Sequence, residues 1–180
     1  IAEELWPAIS WCLDYCRSRL TADGVVASDS DELEGRFPAG SANLSTSALA
    51  YGGFRYASAL ARELGLKEEA DANAKSAAAL REAIESYFGA EVEGFRTYRY
   101  YEGNEILRSW IGLPLSLGIM ERKEGTIEAL LSPRLWMEDG LATQAGDTVF
   151  WDRSTLYGLR ALFVAGETGK APANLSADST

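Results

Sequence analysis

Two loops of this sequence carry carboxylates, and these are the side chains best suited to chemistry. The first loop, residues 29–46 (DSDELEGRFPAGSANLST), contains Asp31 and Glu34, and the second, 134–151, contains Asp147 and leads into Asp152. Two carboxylates facing each other across a bond can cleave a glycoside, because one protonates the leaving oxygen while the other activates water or attacks carbon. We therefore take Glu34, Asp31 and Asp152 as the candidate catalytic residues.

Each of these carboxylates also has a structural alternative. Asp31 and Glu34 could be solvated loop acids, since most acidic side chains lie at the surface. Asp152 or Ser154 could cap the helix that follows, because Asp and Ser are favoured N-cap residues.

Aromatic and arginine side chains near the same loops are candidates for binding a sugar. Aromatic rings offer faces on which pyranose rings stack, and a guanidinium can orient a carboxylate or hold an acidic sugar through two hydrogen bonds. Trp110 also fits the alternative of a core residue, because it falls on an apolar helix face. The candidate substrate-binding residues are Arg36, Phe37, Tyr98, Tyr100, Arg108, Trp110, Trp151 and Arg153.

The sequence contains no histidine, and its net charge is −10, from 17 basic and 27 acidic residues. The lack of histidine excludes Ser-His-Asp and Cys-His catalysis and nearly every zinc site, so acid–base chemistry falls to carboxylates. The negative charge disfavours nucleic acid and anionic membranes as partners. We expect a carbohydrate substrate and neither a cofactor nor a metal.

Hydrophobic periodicity predicts an all-α domain over residues 1–168, followed by a flexible, polar tail over 169–180. Long loops alternate with short turns, which places the long loops on one face of stacked α/α hairpins. The period of two in residues 89–104 adds a short β-hairpin or extended loop rich in aromatics. The predicted helices span 2–20, 43–64, 67–88, 106–120, 125–131 and 152–166.

The helical period also predicts which side chains face inward. In the first helix the apolar stripe comprises Leu5, Ile9, Cys12, Leu13, Cys16 and Leu20. In the last helix it comprises Leu156, Leu159 and Phe163. Cys12 and Cys16 lie one helical turn apart, where disulfide geometry is rarely met, so we expect both to be buried as small apolar residues.

Three segments carry a resemblance to a known family: EGRFPAGSANLSTSALAY, FGAEVEGFRTYRYYEGNEILRSWIGLPLSLGI, and LLSPRLWMEDGLATQAGDTVFWDRSTLYGLRALFVAGET. Together they resemble the six-hairpin glycosidase class, and within it a bacterial branch of glycoside hydrolases. The resemblance implies an (α/α)6 barrel with its active site at the mouth. In trehalase and glucosidase members, a catalytic acid precedes a helix that starts at Asx-Leu. Asn43-Leu44 matches that start, which implies Glu34 or Asp31 as the corresponding acid.

A full barrel of twelve helices needs on the order of 300 residues or more, whereas 180 residues hold six helices. We therefore expect half a toroid, completed by a second copy or by the remainder of the barrel. Two alternatives remain, a non-catalytic carbohydrate-binding fragment and a helical-repeat scaffold of the tetratricopeptide type that binds protein. No leader is visible at Ile1, so the compartment is periplasmic or extracellular if one was removed, and cytoplasmic otherwise.

Overall fold

The computed structural model describes residues 1–28, 30 and 37–170. Its contacts divide the chain into two compact units, Ile1–Phe88 and Gly89–Thr180. Six α-helices and two short antiparallel hairpins make up the regular structure of the described residues, which confirms the all-α class. None of the helices in this described part is both long and apolar enough to cross a membrane. Most of the predicted tail, 171–180, lies outside the described residues.

The first unit is built on a pair of antiparallel helices. Helix α1 spans Ala2–Ser18, α2 spans Leu44–Glu63, and α3 spans Lys67–Phe88. Helices α2 and α3 form the predicted α/α hairpin. Gly65 makes the tight connection because it has a positive φ of 75°, a conformation that glycine adopts without steric cost.

Helix α1 makes both apolar and polar contacts, and the predicted inward stripe is largely wrong. Leu13 is its one buried residue, whereas Leu5 and Cys12 are exposed. Instead, Arg17 donates hydrogen bonds to Asn73 Oδ1 at 2.6 Å and Ser76 Oγ at 3.2 Å on α3. The same guanidinium lies over the Phe54 ring of α2, 4.9 Å from its centroid. Arg17 and the buried Leu13 therefore make the contacts of α1 that the structure shows most clearly, in place of the full apolar stripe that the helical period predicts.

The second unit begins with the predicted hairpin. Strand β1, Gly89–Val92, pairs with β2, Phe95–Tyr98, with Gly89 opposite Tyr98 and Val92 opposite Phe95. Glu93 and Gly94 form the two-residue turn, both with positive φ, as a type I′ turn requires. The Glu93 carboxylate pairs with Arg134 and accepts a hydrogen bond from the Leu107 amide at 3.2 Å. The turn is thereby tied to the later part of the unit.

The predicted helix over 106–120 is much shorter in the structure. A 3-10 turn at Ser109–Ile111 leads into α4, Gly112–Ser116. Arg108 is extended and forms an antiparallel bridge with Gln144. Because its backbone is paired with this distant residue, the start of the predicted helix does not form. Helix α5 follows at Lys123–Leu131, as predicted.

Helix α6, Asp152–Val164, packs through its smallest residues, so the predicted inward stripe is wrong. The buried positions are Ser154, Gly158, Ala161 and Leu162, whereas Leu156 and Phe163 are exposed. A Cβ atom on Gly112 of α4 would lie only 3.5 Å from Ala161 Cβ and 3.7 Å from Gly158 Cα. This close approach of α4 turns the small residues of α6 inward. The long loop before α6 also holds strands β3, Trp136–Met137, and β4, Gly140–Leu141.

Close packing at Gly125 provides a test of the second unit. A Cβ there would overlap the backbone carbonyl of Arg96 in β2, which cannot move without breaking the hairpin. We expect Gly125→Ala to destabilise the fold by about 1–3 kcal/mol, as overpacking does. Urea denaturation measures the change. Gly53→Ala is the matched control, since its Cβ would meet Leu13 Cδ2 at an ordinary 3.4 Å. A helical alanine at that position should be neutral or stabilising, and equal destabilisation of both variants would contradict the packing argument.

The Glu93–Arg134 pair predicts a pH dependence. The hydrogen bond from Arg134 lowers the pKa of Glu93 below its ordinary 4.5, and the Leu107 amide adds to the effect. A lowered folded-state pKa stabilises the fold above about pH 4.5, and this stability is lost as pH falls through the folded value. Glu93→Gln should therefore lower the denaturation midpoint at pH 7 and match the wild type at low pH. If the denaturation midpoints of Glu93→Gln and the wild type differ by the same amount at pH 7 and at low pH, the Glu93–Arg134 pair is not the cause.

Candidate functional site

Trp151, Asp152 and Arg153 lie together at the N-terminal end of α6. Trp151 occupies the N-cap position and is half-buried, and Asp152 is the first helical residue, with an exposed side chain. No side chain caps the helix, so the alternative of Asp152 or Ser154 as the N-cap is wrong. Ser154 is buried and its hydroxyl donates to the Trp151 carbonyl at 2.8 Å. The Asp152 carboxylate is thus not engaged as a helix cap.

Stacked aromatic and cationic groups position the Trp151 ring. The Arg153 guanidinium lies over Trp151, 5.0 Å from the ring centroid, and also over Trp110 at 5.9 Å. Trp110 meets the Tyr157 ring edge-on, with centroids 6.0 Å apart. Such contacts are each worth roughly 0.5–1.5 kcal/mol and fix relative orientation. A half-exposed indole therefore lies beside an exposed carboxylate and a guanidinium.

The loop before α6 is held by its own polar groups. Asp147 Oδ1 accepts hydrogen bonds from the amides of Thr148 at 2.7 Å and Val149 at 3.0 Å. This arrangement is an Asx turn, so Asp147 has a structural role. The Thr155 hydroxyl accepts the Leu141 amide at 3.0 Å, which ties β4 to the first turn of α6.

A surface cavity of about 460 Å³ lies along the same helix, lined by Asp152, Arg153, Leu156, Tyr157 and Arg160. Tyr157 and Arg160 are not among the residues predicted from the sequence. Both could have been found, because they follow Arg153 by four and seven residues and hence share its helix face.

Four of the predicted substrate-binding residues belong to the core, and we correct that expectation. The exposed fractions are 1% for Tyr98, 0% for Tyr100, 1% for Arg108 and 0% for Trp110. The Arg108 guanidinium lies 4.5 Å from the centroid of the Tyr100 ring. Burial leaves these side chains no face on which a sugar could stack, so we remove them from the candidate site. Trp110 is therefore a core residue, which is the alternative that its apolar helix face suggested.

Of the first carboxylate loop, the structure describes residue 30 and residues 37–46. Asp31, Glu34 and Arg36 lie outside the described residues, and Phe37 is half-buried. At the ends, the Ser28 amide donates to the Ser41 carbonyl at 2.9 Å, and Ala27 pairs with Ala42 as an isolated bridge. These contacts bring the two ends of the loop together.

Asn43 connects this loop to α2. Its Oδ1 accepts the Thr46 amide at 2.9 Å and the Ser45 hydroxyl at 3.0 Å, which confirms the predicted helix start. Its Nδ2 donates to the Ser30 carbonyl at 3.0 Å, and the residue is fully buried. One amide side chain thus caps a helix and holds the loop that carries two candidate catalytic residues.

Substitutions at Asn43 can separate these two roles. Asn43→Ala should cost about 2 kcal/mol, because it removes the cap and leaves buried groups without partners. Asn43→Ser keeps a capping oxygen but is too short to reach Ser30. Hydrogen exchange should show fast exchange at the Thr46 amide in the alanine variant only, and weakened protection of the Ser28 amide in both. An unchanged Ser28 amide in both variants would disprove the anchoring role.

Comparison with known proteins gives a likeness of fold. No family model and no curated protein matches the sequence. Among solved structures, a sialidase matches with a TM-score of 0.72 at 12% identity over 89% of this chain and 17% of that one. A neutral trehalase from Saccharomyces cerevisiae matches with a TM-score of 0.63 at 16% identity, over 78% of this chain and 30% of the trehalase. The chain therefore spans less than a third of either structure, and at these identities the likeness shows the fold alone.

Proposed function

We propose that this chain is part of a glycoside hydrolase of the six-hairpin class, which acts on an oligosaccharide or polysaccharide with a pair of carboxylates. The observation that carries the proposal is the similarity of its fold to a sialidase and a trehalase, two glycoside hydrolases. The exposed group at the start of α6 adds to it, because carboxylate, indole and guanidinium are the groups such a site needs.

In this proposal Asp152 is one of the two carboxylates. Negative charge is favourable at a helix N-terminus, which suits a base or a nucleophile. Glu34 or Asp31 then supplies the proton to the glycosidic oxygen as the C–O bond breaks. Water adds its hydroxyl to the anomeric carbon and gives its proton to the carboxylate acting as base. A separation of roughly 5–5.5 Å between the carboxyl groups would mean retention of configuration, and about 6.5–9.5 Å would mean inversion.

Trp151 and Arg153 are the proposed substrate-binding residues on the described side. The half-exposed indole offers apolar surface to the C–H groups of a pyranose ring. Arg153, stacked on that indole, can donate to sugar hydroxyls or to a carboxylate. Phe37 and Arg36 on the first loop complete the proposed set.

The alternatives differ in what they require. A non-catalytic carbohydrate-binding fragment needs the indole and arginine but no turnover. A protein-binding repeat scaffold needs similar helix pairs stacked in series. The described helices α2 to α5 contain 20, 22, 5 and 9 residues, which speaks against such an array.

The test is hydrolysis by the protein made from its complete coding sequence, with trehalose, sialylated oligosaccharides and neutral oligosaccharides as substrates. Asp152→Asn should lower kcat on the order of 100-fold or more, as loss of an acid–base group does, and change affinity little. Trp151→Ala should mainly weaken binding. Asp71→Asn is the matched control, because Asp71 is an exposed acid on α3.

The outcomes separate the alternatives. Glycan binding without turnover in the wild type would favour the carbohydrate-binding fragment. If Asp152→Asn and Glu34→Gln both hydrolyse substrate as fast as the Asp71→Asn control, the proposed catalytic residues are wrong.

A further inference from the structure

The cavity along α6 has more positive than negative charge on its lining. Among the described residues that line it, two are arginines, Arg153 and Arg160, and one, Asp152, is acidic. The whole chain carries a net charge of −10, so this recess differs in sign from the protein around it. A recess of this kind attracts a negatively charged ligand, although the protein as a whole repels one.

Arg160 is exposed and has no acidic residue within one helical turn. The positions three and four residues away from it are all apolar or aromatic: Leu156, Tyr157, Phe163 and Val164. An ion pair along the helix therefore cannot form at these spacings. Within the described part of the chain, the Arg160 guanidinium also makes no ion pair or hydrogen bond with any other element. A guanidinium has five N–H donors and no acceptor, so these donors are available to a ligand.

The wall between the two arginines is apolar and held in place. Tyr157 lies four residues after Arg153 and three before Arg160, and the neighbouring Leu156 is 65% exposed. The Tyr157 ring packs edge-on against the buried Trp110, with centroids 6.0 Å apart. Aromatic and aliphatic side chains offer apolar surface to the C–H groups of a pyranose ring, and the arginines offer donors to its polar substituents.

We propose that this cavity binds a sugar unit that carries a carboxylate, and that Arg160 binds the carboxylate. This inference rests on the proposed function, because it names the class of substrate for the same site. Arginine presents its N–H groups as a planar fork that matches both oxygens of a carboxylate. A sugar hydroxyl both donates and accepts hydrogen bonds, so it is only partly satisfied by a side chain that only donates. A carboxylate only accepts, and it is therefore the better match.

The order of the charges along α6 keeps the carboxylate away from the proposed chemistry. Arg160 follows Asp152 by eight residues, which is about 12 Å along the helix axis. A substrate carboxylate bound by Arg160 is thereby kept from the Asp152 carboxylate, which would repel it. The acidic group is therefore a recognition element of the substrate and takes no part in bond cleavage.

The first experiment measures binding by calorimetry, with the protein made from its complete coding sequence in an Asp152→Asn background. The probes are oligogalacturonate, hyaluronan oligosaccharides and sialyllactose, each compared with its own methyl ester, which has the same sugars without the charge. At least one acid should bind roughly 10-fold more tightly than its ester, because hydrogen bonds to a charged group are the stronger ones. If no acid does, the proposal is overturned. A sulfated neutral oligosaccharide that binds as tightly as the best acid would overturn the assignment of a carboxylate.

Substitutions at Arg160 show whether this side chain causes the preference for the acid. Arg160→Gln should abolish the preference, and Arg160→Lys should retain part of it, because lysine keeps the charge but not the planar fork. Arg62→Gln, at an exposed arginine of α2, is the matched control and should keep the full preference. Equal losses in Arg160→Gln and Arg62→Gln would mean that the preference reflects overall charge, and the proposed site would be wrong.

Binding and hydrolysis together distinguish a failure of this inference from a failure of the proposed function. If the protein hydrolyses neutral glycans but binds no acid more tightly than its ester, the proposed hydrolase stands and the carboxylate site is overturned. If no glycan is hydrolysed but the preference for the acid persists and depends on Arg160, the carboxylate site stands and the proposed catalysis is wrong.

Discussion

The first unit depends on one buried amide, the side chain of Asn43. Its oxygen satisfies the first turn of α2, and its nitrogen holds the Ser30 carbonyl at the edge of the carboxylate loop. Helix starts leave backbone donors that need partners, and loops need their ends fixed if they are to carry chemistry. Asn43 meets both needs at once, so the position of the loop is coupled to the stability of the helix. This coupling explains why a loop rich in charge can be placed by a scaffold that is mostly apolar.

The second unit depends on close backbone approach. Gly125 lets α5 lie against the Arg96 carbonyl, and Gly112 and Gly158 let α4 and α6 meet. Small residues at these contacts leave the larger side chains of α6 pointing outward. Trp151 and Arg153 lie at the start of this helix, where the Ser154 and Thr155 hydroxyls tie the first turn to the preceding loop. The site at the start of α6 is therefore a consequence of how its other face packs.

Sequence reasoning succeeded where the determinant is local. The α2 start at Asn43 and the bounds of α3 follow from capping and periodicity, and both are confirmed. It failed where the determinant is tertiary. The Arg108–Gln144 bridge removes the first turns of a helix that periodicity predicts, and nothing local to residues 106–120 encodes a partner at Gln144. Likewise, the aromatic residues of the predicted hairpin do not indicate which of its faces is buried. Tyr98 and Tyr100 lie in the core.

The incorrect inward stripe of α6 has a physical meaning. Periodicity records that Leu156, Leu159 and Phe163 share one face, but it does not name the element that covers this face. Within the described chain, α4 covers the small residues instead, and Leu156 and Phe163 are exposed. The same holds for Leu5 and Cys12 on α1. Periodicity therefore identifies side chains that share a face, and tertiary packing decides whether that face is covered. On α6 the decisive determinant is the close approach of α4, which no residue of the stripe encodes.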